Sequence, residues 1–307
     1  MKTLTFIGAN GFIGKSFIDF FNKGLFKKYN INRINLISRN IRELKKINNT
    51  KNIFLIKGDI SKIKNLPKSD YIIYGAEKAE IKKRKNYDNL IKESKKSIDN
   101  FCEIVKKNKN IKVLYISSGI VNRYRNKFLV KKKIKSQSEA YTIIKCYSEF
   151  KIKNLSSFNL KSSIARCYTF IGRWLPRNSK YAIGNFIESI VKNKPIVIKK
   201  KNKVIRSYMY ADDMVHWLTK ICLKSKTKTS IYDVGSNYSI EIEQLANLFS
   251  MLFNQKIIFN KLNYNYRKVD KYLPDINKLH KKLNLKLTYD LKKSILLTIK
   301  EINESTY

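Results

Sequence analysis

In "YTIIK", residues 141 to 145, Tyr141 and Lys145 stand four apart in a helical segment, where side chains at i and i+4 share a face and reach a common ligand. An ammonium beside a phenol favours the phenolate. The pair therefore predicts a Tyr141 pKa lowered from the usual value of about 10 toward the working range of an acid/base catalyst. Ser118, which closes the run "KVLYISS", adds a hydroxyl that can hydrogen-bond the same substrate oxygen. An ordinary amphipathic helix also carries Tyr and Lys, and a chain with 19 tyrosines meets this spacing by chance.

A second constellation precedes it. "TFIGANGFIGKSF", residues 5 to 17, places Gly8, Gly11 and Gly14 between an apolar run and a helical segment, in a chain with only 10 glycines. A side chain at Gly8 would obstruct a tight turn, one at Gly11 would hold a diphosphate off the backbone, and one at Gly14 would push helix from strand. The amides that open the helix, those of Phe12, Ile13 and Gly14, then face the anion with the positive end of the helix dipole behind them. Such a turn binds a dinucleotide, although glycine turns also open helices that bind nothing.

At the end of the second strand, where an acidic residue commonly holds the adenine ribose of NAD, the chain has Ser38 and Arg39. A guanidinium suits a 2′-phosphate, so NADP is the first choice of cofactor and NAD the second; an arginine at a sheet surface would look the same. Asp59 and Ile60 in "KGDI" follow the third strand, placed to meet the adenine edge, where a turn-forming Asp is the alternative.

These residues require a scaffold. Short β-branched or aromatic runs ("KTLTFIG", "INRINLIS", "NIFLIKGD", "YIIYGA", "KVLYISS", "SSIARCY") alternate with segments of helical period ("IGKSFIDFFNKG", "YDNLIKESKKSIDNFCEIVKKN", "EAYTIIKCYSEFKIKN"). That is the pattern of an α/β protein with a Rossmann-type doubly wound parallel sheet, each strand followed by one crossover. The dinucleotide-binding domain is expected over residues 1–171, joined again by a strand near 230–236, and a smaller substrate-binding lobe over 172–307. Within the latter, "KPIVIKK" and "SIEIEQLANLFSMLF" suggest short strands and helices.

Composition narrows the class. No apolar run reaches the roughly 18 residues of a membrane span, and the N-terminus enters a strand directly, so a soluble, cytoplasmic protein is expected. Cys102, Cys146, Cys167 and Cys222 lack CxxC spacing and the chain has two histidines, which argues against disulfides and against a metal site; reduced, mostly buried thiols are expected. The formal charge of +42 is spread over nearly every loop and helix face, mixed with Asn, Ile and Tyr. It reads as a chain-wide bias that attracts anionic substrates, with no motif for specific nucleic-acid binding.

The order GxxGxxG, paired serines after the fifth strand, then YxxxK resembles the NAD-dependent epimerase/dehydratase family of extended short-chain dehydrogenase/reductases, which act on nucleotide sugars. "ARCYTFIGRWLP", "YAIGNFI", "RSYMYADDMVHWL", "IYDVGSNYSIEIEQLA" and "YLPDINKLHKKLNLK" resemble its C-terminal landmarks in order. The resemblance implies Tyr141 as acid/base at a sugar hydroxyl or ketone, Lys145 as holder of the nicotinamide ribose, and Ser118 as orienter of the sugar oxygen. It implies Arg206 and Asn185 at the nucleotide diphosphate, hydride transfer at a sugar carbon, most often C4, and a homodimer. Asp213 aligns with the family's Asp, or caps the following helix; His216 reads as packed.

Some positions depart from the family. Its 4,6-dehydratases carry Asp-Glu directly after the Ser/Thr, because eliminating water needs a further acid and base, and these positions are Gly119 and Ile120. Epimerisation or keto-sugar reduction, in surface polysaccharide synthesis, is therefore the leading expectation; a 4,6-dehydratase or an idle cofactor-binding scaffold or sensor is the alternative. Asn122 and Arg123 replace the usual Tyr-Gly, and "FLVKKKIKS" is unusually basic. "YGAEKA" departs from the small apolar run that lines the nicotinamide side, which leaves Glu77 without a role.

Overall fold

The structure is a computed structural model that describes residues 1–48, 50–77, 87–108, 110–124, 134, 136–177 and 181–304, with only the backbone of 123, 124, 199–201 and 260–268. Most of "FLVKKKIKS" lies outside the described residues. The chain forms two compact units, Met1–Cys167 with Val215–Tyr232, and Tyr168–Met214 with Asp233–Tyr307.

The first begins β1 (Lys2–Ile7), α1 (Phe12–Asn22), β2 (Ile31–Ser38), α2 (Arg42–Ile47), β3 (Ile53–Lys57) and β4 (Tyr71–Tyr74). It continues α3 (Tyr87–Lys106), β5 (Lys112–Ser118), α4 (Ile120–Tyr124), α5 (Gln137–Lys153) and β6 (Lys161–Cys167). After it come β7 (Phe170–Ile171), α6 (Ala182–Val191), β8 (Ile196–Ser207), β9 (Met209–Tyr210), α7 (Ala211–Leu223) and β10 (Ser230–Val234). The chain ends with β11 (Ser239–Glu241), α8 (Ile242–Phe253), β12 (Ile257–Lys271), α9 (Asn277–Leu283) and α10 (Leu291–Glu304).

Seven strands form one sheet in the order β10-β6-β5-β4-β1-β2-β3, and β1 to β6 pair in parallel. All six strand segments read in the first half of the sequence are strands of this sheet. Their near-continuous apolar runs follow from burial on both faces. Of the polar side chains inside, Thr5 Oγ1 lies 2.6 Å from Ser69 Oγ and accepts from Asn35 Nδ2 at 3.2 Å, while the buried Tyr74 hydroxyl has no hydrogen-bond partner among the described residues. The helices dock by apolar stripes. On α3, Ile91, Ile98, Phe101, Cys102 and Val105 are buried, and on α1, Phe17 packs 4.9 Å from Phe6.

The expected crossovers need one correction: the β3-to-β4 connection contains no helix, because Asp59 folds it instead into a turn, its Oδ1 accepting from the Ser61 amide and hydroxyl at 3.0 and 2.8 Å. α2 was not legible from periodicity, being only six residues long. His216 on α7 is packed as expected. Its Nδ1 shares a hydrogen bond with the Tyr29 hydroxyl, and burial, then Lys28 and Lys220, push its pKa down to about 4. All four cysteines are free, three of them buried.

The second unit holds the pair β7-β9 and the sheet β11-β8-β12, with a core that includes Ile183, Phe186, Leu245, Phe249, Ile295 and Ile299. The long β12 was missing from the sequence reading, since "NKLNYNYRKVDK" has neither a clear two-residue nor a helical period; β8 supplies its parallel partner, with two register shifts. No helix among the described residues is long and apolar enough to cross a membrane.

Asp213 is not a helix cap. It sits in the first turn of α7, 2% exposed, and its Oδ2 accepts from the amides of Thr288 and Tyr289 at 2.9 and 3.2 Å. Asp213→Ala leaves two amides without an acceptor and is expected to cost about 1–3 kcal/mol in urea-induced unfolding, with Asp213→Asn costing less; equal stability of all three proteins would refute the clamp.

Candidate active site

The site is assembled on the carboxyl edge of the parallel sheet. In register, Ile7 faces Ile37 and Tyr74, and Tyr74 faces Tyr115. Gly8, Arg39, Glu77 and Ser118 therefore emerge at one edge, around the point between β1 and β4 where the strand order reverses and open α/β sheets bind ligands.

The glycine turn leads from β1 into α1. Gly8 has φ +90°, and a Cβ on it would stand 2.5 Å from Ala76 Cα and 2.6 Å from Gly75 O. A Cβ on Gly14 would meet the Ala9 carbonyl oxygen at 2.3 Å. Both positions require glycine on contacts within the protein alone. Gly11 differs: among the described residues, a Cβ there meets only Gly8 O, at 3.9 Å. Gly11 begins α1 in extended conformation with no capping side chain over the helix start, and beside it Asn10 Oδ1 is buried without a hydrogen-bond partner among the described residues. An open helix start fits the phosphates of a dinucleotide, whereas the Asn10 Oδ1, an acceptor, fits a donor such as a ribose hydroxyl.

Arg39 is exposed past β2, and its charge acts on Asp59. Partial burial raises the Asp59 carboxyl, but the Ser61 hydrogen bonds, Arg39 and Lys62 outweigh it and hold the group below the usual carboxylate range. Ile60 is buried, with its carbonyl accepting from Asn100 Nδ2 at 2.7 Å.

Tyr141, Lys145 and Ser118 do come together. Ser118 and Lys145 both act on the Tyr141 phenol, with Lys145 Nζ 5.4 Å from the Tyr141 ring centroid. α5 is placed by a Ser136 cap, whose hydroxyl accepts from the Glu139 amide at 3.2 Å. Its inner face is unusual for a helix packed on a sheet, because Lys145, Ser148 and Glu149 are all buried on it. Each charge is met. Lys145 Nζ donates to Ile116 O at 2.7 Å and pairs with Glu77 Oε2 at 2.9 Å; Glu77 also accepts from Tyr115 Oη and Ser148 Oγ, both at 2.7 Å. One turn on, Glu149 takes Arg166 of β6 at 2.8 and 2.7 Å and Ser117 of β5 at 2.6 Å, and Arg166 also donates to Asn122 Oδ1.

The expectation of a lowered Tyr141 pKa is corrected by this arrangement. Burial raises it most, Lys145 lowers it, Glu77 and Cys167 raise it again and the Ser118 hydrogen bond lowers it; the balance lies above the ordinary phenol value. Lys145 is pushed down by burial but held above its ordinary value by Glu77 and Tyr141. Residue spacing registers the ammonium but neither the burial of the phenol, the largest cause, nor the Glu77 charge. Glu77, Glu149 and Arg166 went unassigned there; the one available signal was acidic Glu149 four residues after Lys145, on the same helix face.

Asn185 and Arg206 belong to the second unit. Asn185 lies in the first turn of α6, its amide donating to Tyr181 O at 3.2 Å. Arg206 of β8 donates to Asp270 Oδ2 at 2.6 Å and to Asp270 O at 2.7 Å, which fixes its guanidinium.

Residues 5–235 match the model of the NAD dependent epimerase/dehydratase family, and the chain belongs to that family. NAD is thus the cofactor of its class. Solved structures share the fold over the whole chain. UDP-glucose 4-epimerase from Thermotoga maritima, with UDP-glucose, superimposes with TM-score 0.77 at 15% identity, covering 99% of this chain and 100% of that one. UDP-N-acetylglucosamine 4-epimerase from Methanobrevibacter ruminantium, with UDP-N-acetylmuramic acid, gives 0.78 at 21% identity over 100% and 99%. dTDP-glucose 4,6-dehydratase from Bacillus anthracis, with NAD, gives 0.74 at 15% over 100% and 99%. No curated protein matches by sequence.

Gly14 and Gly11 are expected to separate on substitution. Gly14→Ala forces α1 off Ala9 and should cost about 1–3 kcal/mol in thermal or urea unfolding, whereas Gly11→Ala should cost less, about 0.5 kcal/mol for the poorer helix cap, yet weaken NAD binding measured by calorimetry. Equal stability losses in both would contradict the assignment of open space at Gly11.

Proposed function

We propose that the protein is a nucleotide-sugar epimerase or 4-ketoreductase whose acid/base is Tyr141. The observation that carries this reading is the convergence of Ser118 and Lys145 on the Tyr141 phenol, with Lys145 Nζ 5.4 Å from its ring, at the same sheet edge as the glycine turn. Gly8, Gly11, Phe12, Ile13 and Gly14 would seat the dinucleotide phosphates, with Arg39, Asp59 and Ile60 at its adenosine end. Bound there, the nicotinamide supplies a hydride to, or takes one from, a sugar carbon, and C4 is the position proposed.

The chain's own residues handle the proton. Ser118 and Tyr141 converge on one sugar oxygen, Ser118 orienting it by a hydrogen bond. In the reductive direction Tyr141 gives its hydroxyl proton to a keto oxygen as that carbon becomes a secondary alcohol; in the oxidative direction it receives the proton back. Arg206, held by Asp270, is the proposed contact for the substrate diphosphate, together with Asn185. With Gly119 and Ile120 after Ser118, elimination of water lacks the extra acid and base it needs.

Incubation with a panel of nucleotide sugars and nucleotide 4-keto sugars, followed by mass, tests the reading. Unchanged mass with altered stereochemistry marks an epimerase, a gain of two hydrogens a reductase, and loss of water would overturn the exclusion of a dehydratase. Tyr141→Phe should lower kcat by about 10²- to 10⁴-fold while NAD binding persists. A variant as active as the parent would remove Tyr141 from the chemistry.

A further inference from the structure

We propose that Glu77 is a positioning residue for the acid/base step, acting on Tyr141 through the Lys145 ammonium that it holds and partly neutralises. The inference rests on the assignment of Tyr141 as the acid/base. Glu77 follows β4 and is 5% exposed at its side chain, against 3% for Lys145. A carboxylate buried to this degree keeps its charge only where it is paired and hydrogen-bonded, and Glu77 meets both conditions: Lys145 Nζ at 2.9 Å, Tyr115 Oη at 2.7 Å and Ser148 Oγ at 2.7 Å.

The geometry gives Glu77 two effects. First, it fixes where the ammonium stands. Lys145 has four rotatable side-chain bonds, yet Ile116 O at 2.7 Å and Glu77 draw its tip to the base of the site, 4.9 Å from the Tyr115 ring and 5.4 Å from that of Tyr141. Second, it cancels part of the field that the ammonium would exert on the phenol. The groups acting on Tyr141 are Lys145 of α5, Glu77 after β4, Cys167 at the end of β6 and Ser118 at the end of β5, with Lys145 and Ser118 favouring phenolate and Glu77 and Cys167 opposing it. Tyr115 of β5 and Ser148 of α5 contact Glu77 as neutral donors. Burial raises the Tyr141 pKa most, and Glu77 adds to it against Lys145, so the phenol is held further from phenolate than the ammonium alone would hold it.

The test compares the full-length parent with E77Q, which retains an oxygen to accept from Lys145 and Tyr115 and an amide to meet Ser148 but removes the charge. The readout is the ¹³Cζ resonance of Tyr141 in protein labelled at tyrosine, assigned by its loss in Tyr141→Phe and followed against pH. Removing a like charge should move the midpoint down by about one pH unit or more, and the pH limb of kcat/KM for the sugar reaction should move with it. Tyr115→Phe combined with Ser148→Ala, which strips the neutral partners and leaves the charge, should move the midpoint far less. An unchanged midpoint in E77Q, or an equal shift in the neutral double variant, overturns the proposal. The resonance is read without turnover, so failure of every nucleotide sugar to react would defeat the proposed function while the Glu77 measurement still decides this inference.

Discussion

A buried ammonium must be neutralised where it stands, and much of the site follows from meeting that requirement for Lys145. Its two acceptors come from different strands, the Ile116 carbonyl of β5 and the Glu77 carboxylate after β4, so satisfying one side chain of α5 also fixes the helix against two strand ends. The solution is repeated one turn later. Glu149 is gripped by both ends of the Arg166 guanidinium on β6 and by Ser117 on β5. Buried ion pairs add little net stability, but breaking one by removing a partner costs about 3–5 kcal/mol. They therefore act as registration devices: α5 cannot slide or rotate without stranding a charge.

The second constraint is the close approach of backbone at the glycine turn. Gly8 presses against Gly75 and Ala76, the residues directly before Glu77. The glycine turn and the carboxylate that holds Lys145 thus lean on one piece of main chain. Tight packing at Gly8 and Gly14 contrasts with the space at Gly11, and this division of labour tells glycines the fold needs from one a ligand would use.

The second unit uses carboxylates in the same economical way. Asp213 orders the segment at Thr288 and Tyr289, and Asp270 aims Arg206. In a chain with 65 basic and 23 acidic residues, four of the scarce acids stand at structural junctions: Glu77, Glu149, Asp213 and Asp270 each join elements distant in sequence.

The strands of the main sheet, three of its helices, the glycine turn and the Tyr–Lys pair were legible in the sequence, because each is encoded by local rules: apolar runs for buried parallel strands, side-chain-free positions at a strand-to-helix turn, and spacing of four on a helix. β12 was illegible because its residues take their extended form from pairing with β8, a partner some sixty residues away in sequence. The electrostatics of Tyr141 were decided by tertiary structure alone. Local spacing placed Lys145 beside the phenol, but Glu77, from a strand end 64 positions upstream of Tyr141, sets how much of that charge the phenol feels. Coulombic interaction depends on distance through space, and only folding brings the three groups within reach of one another.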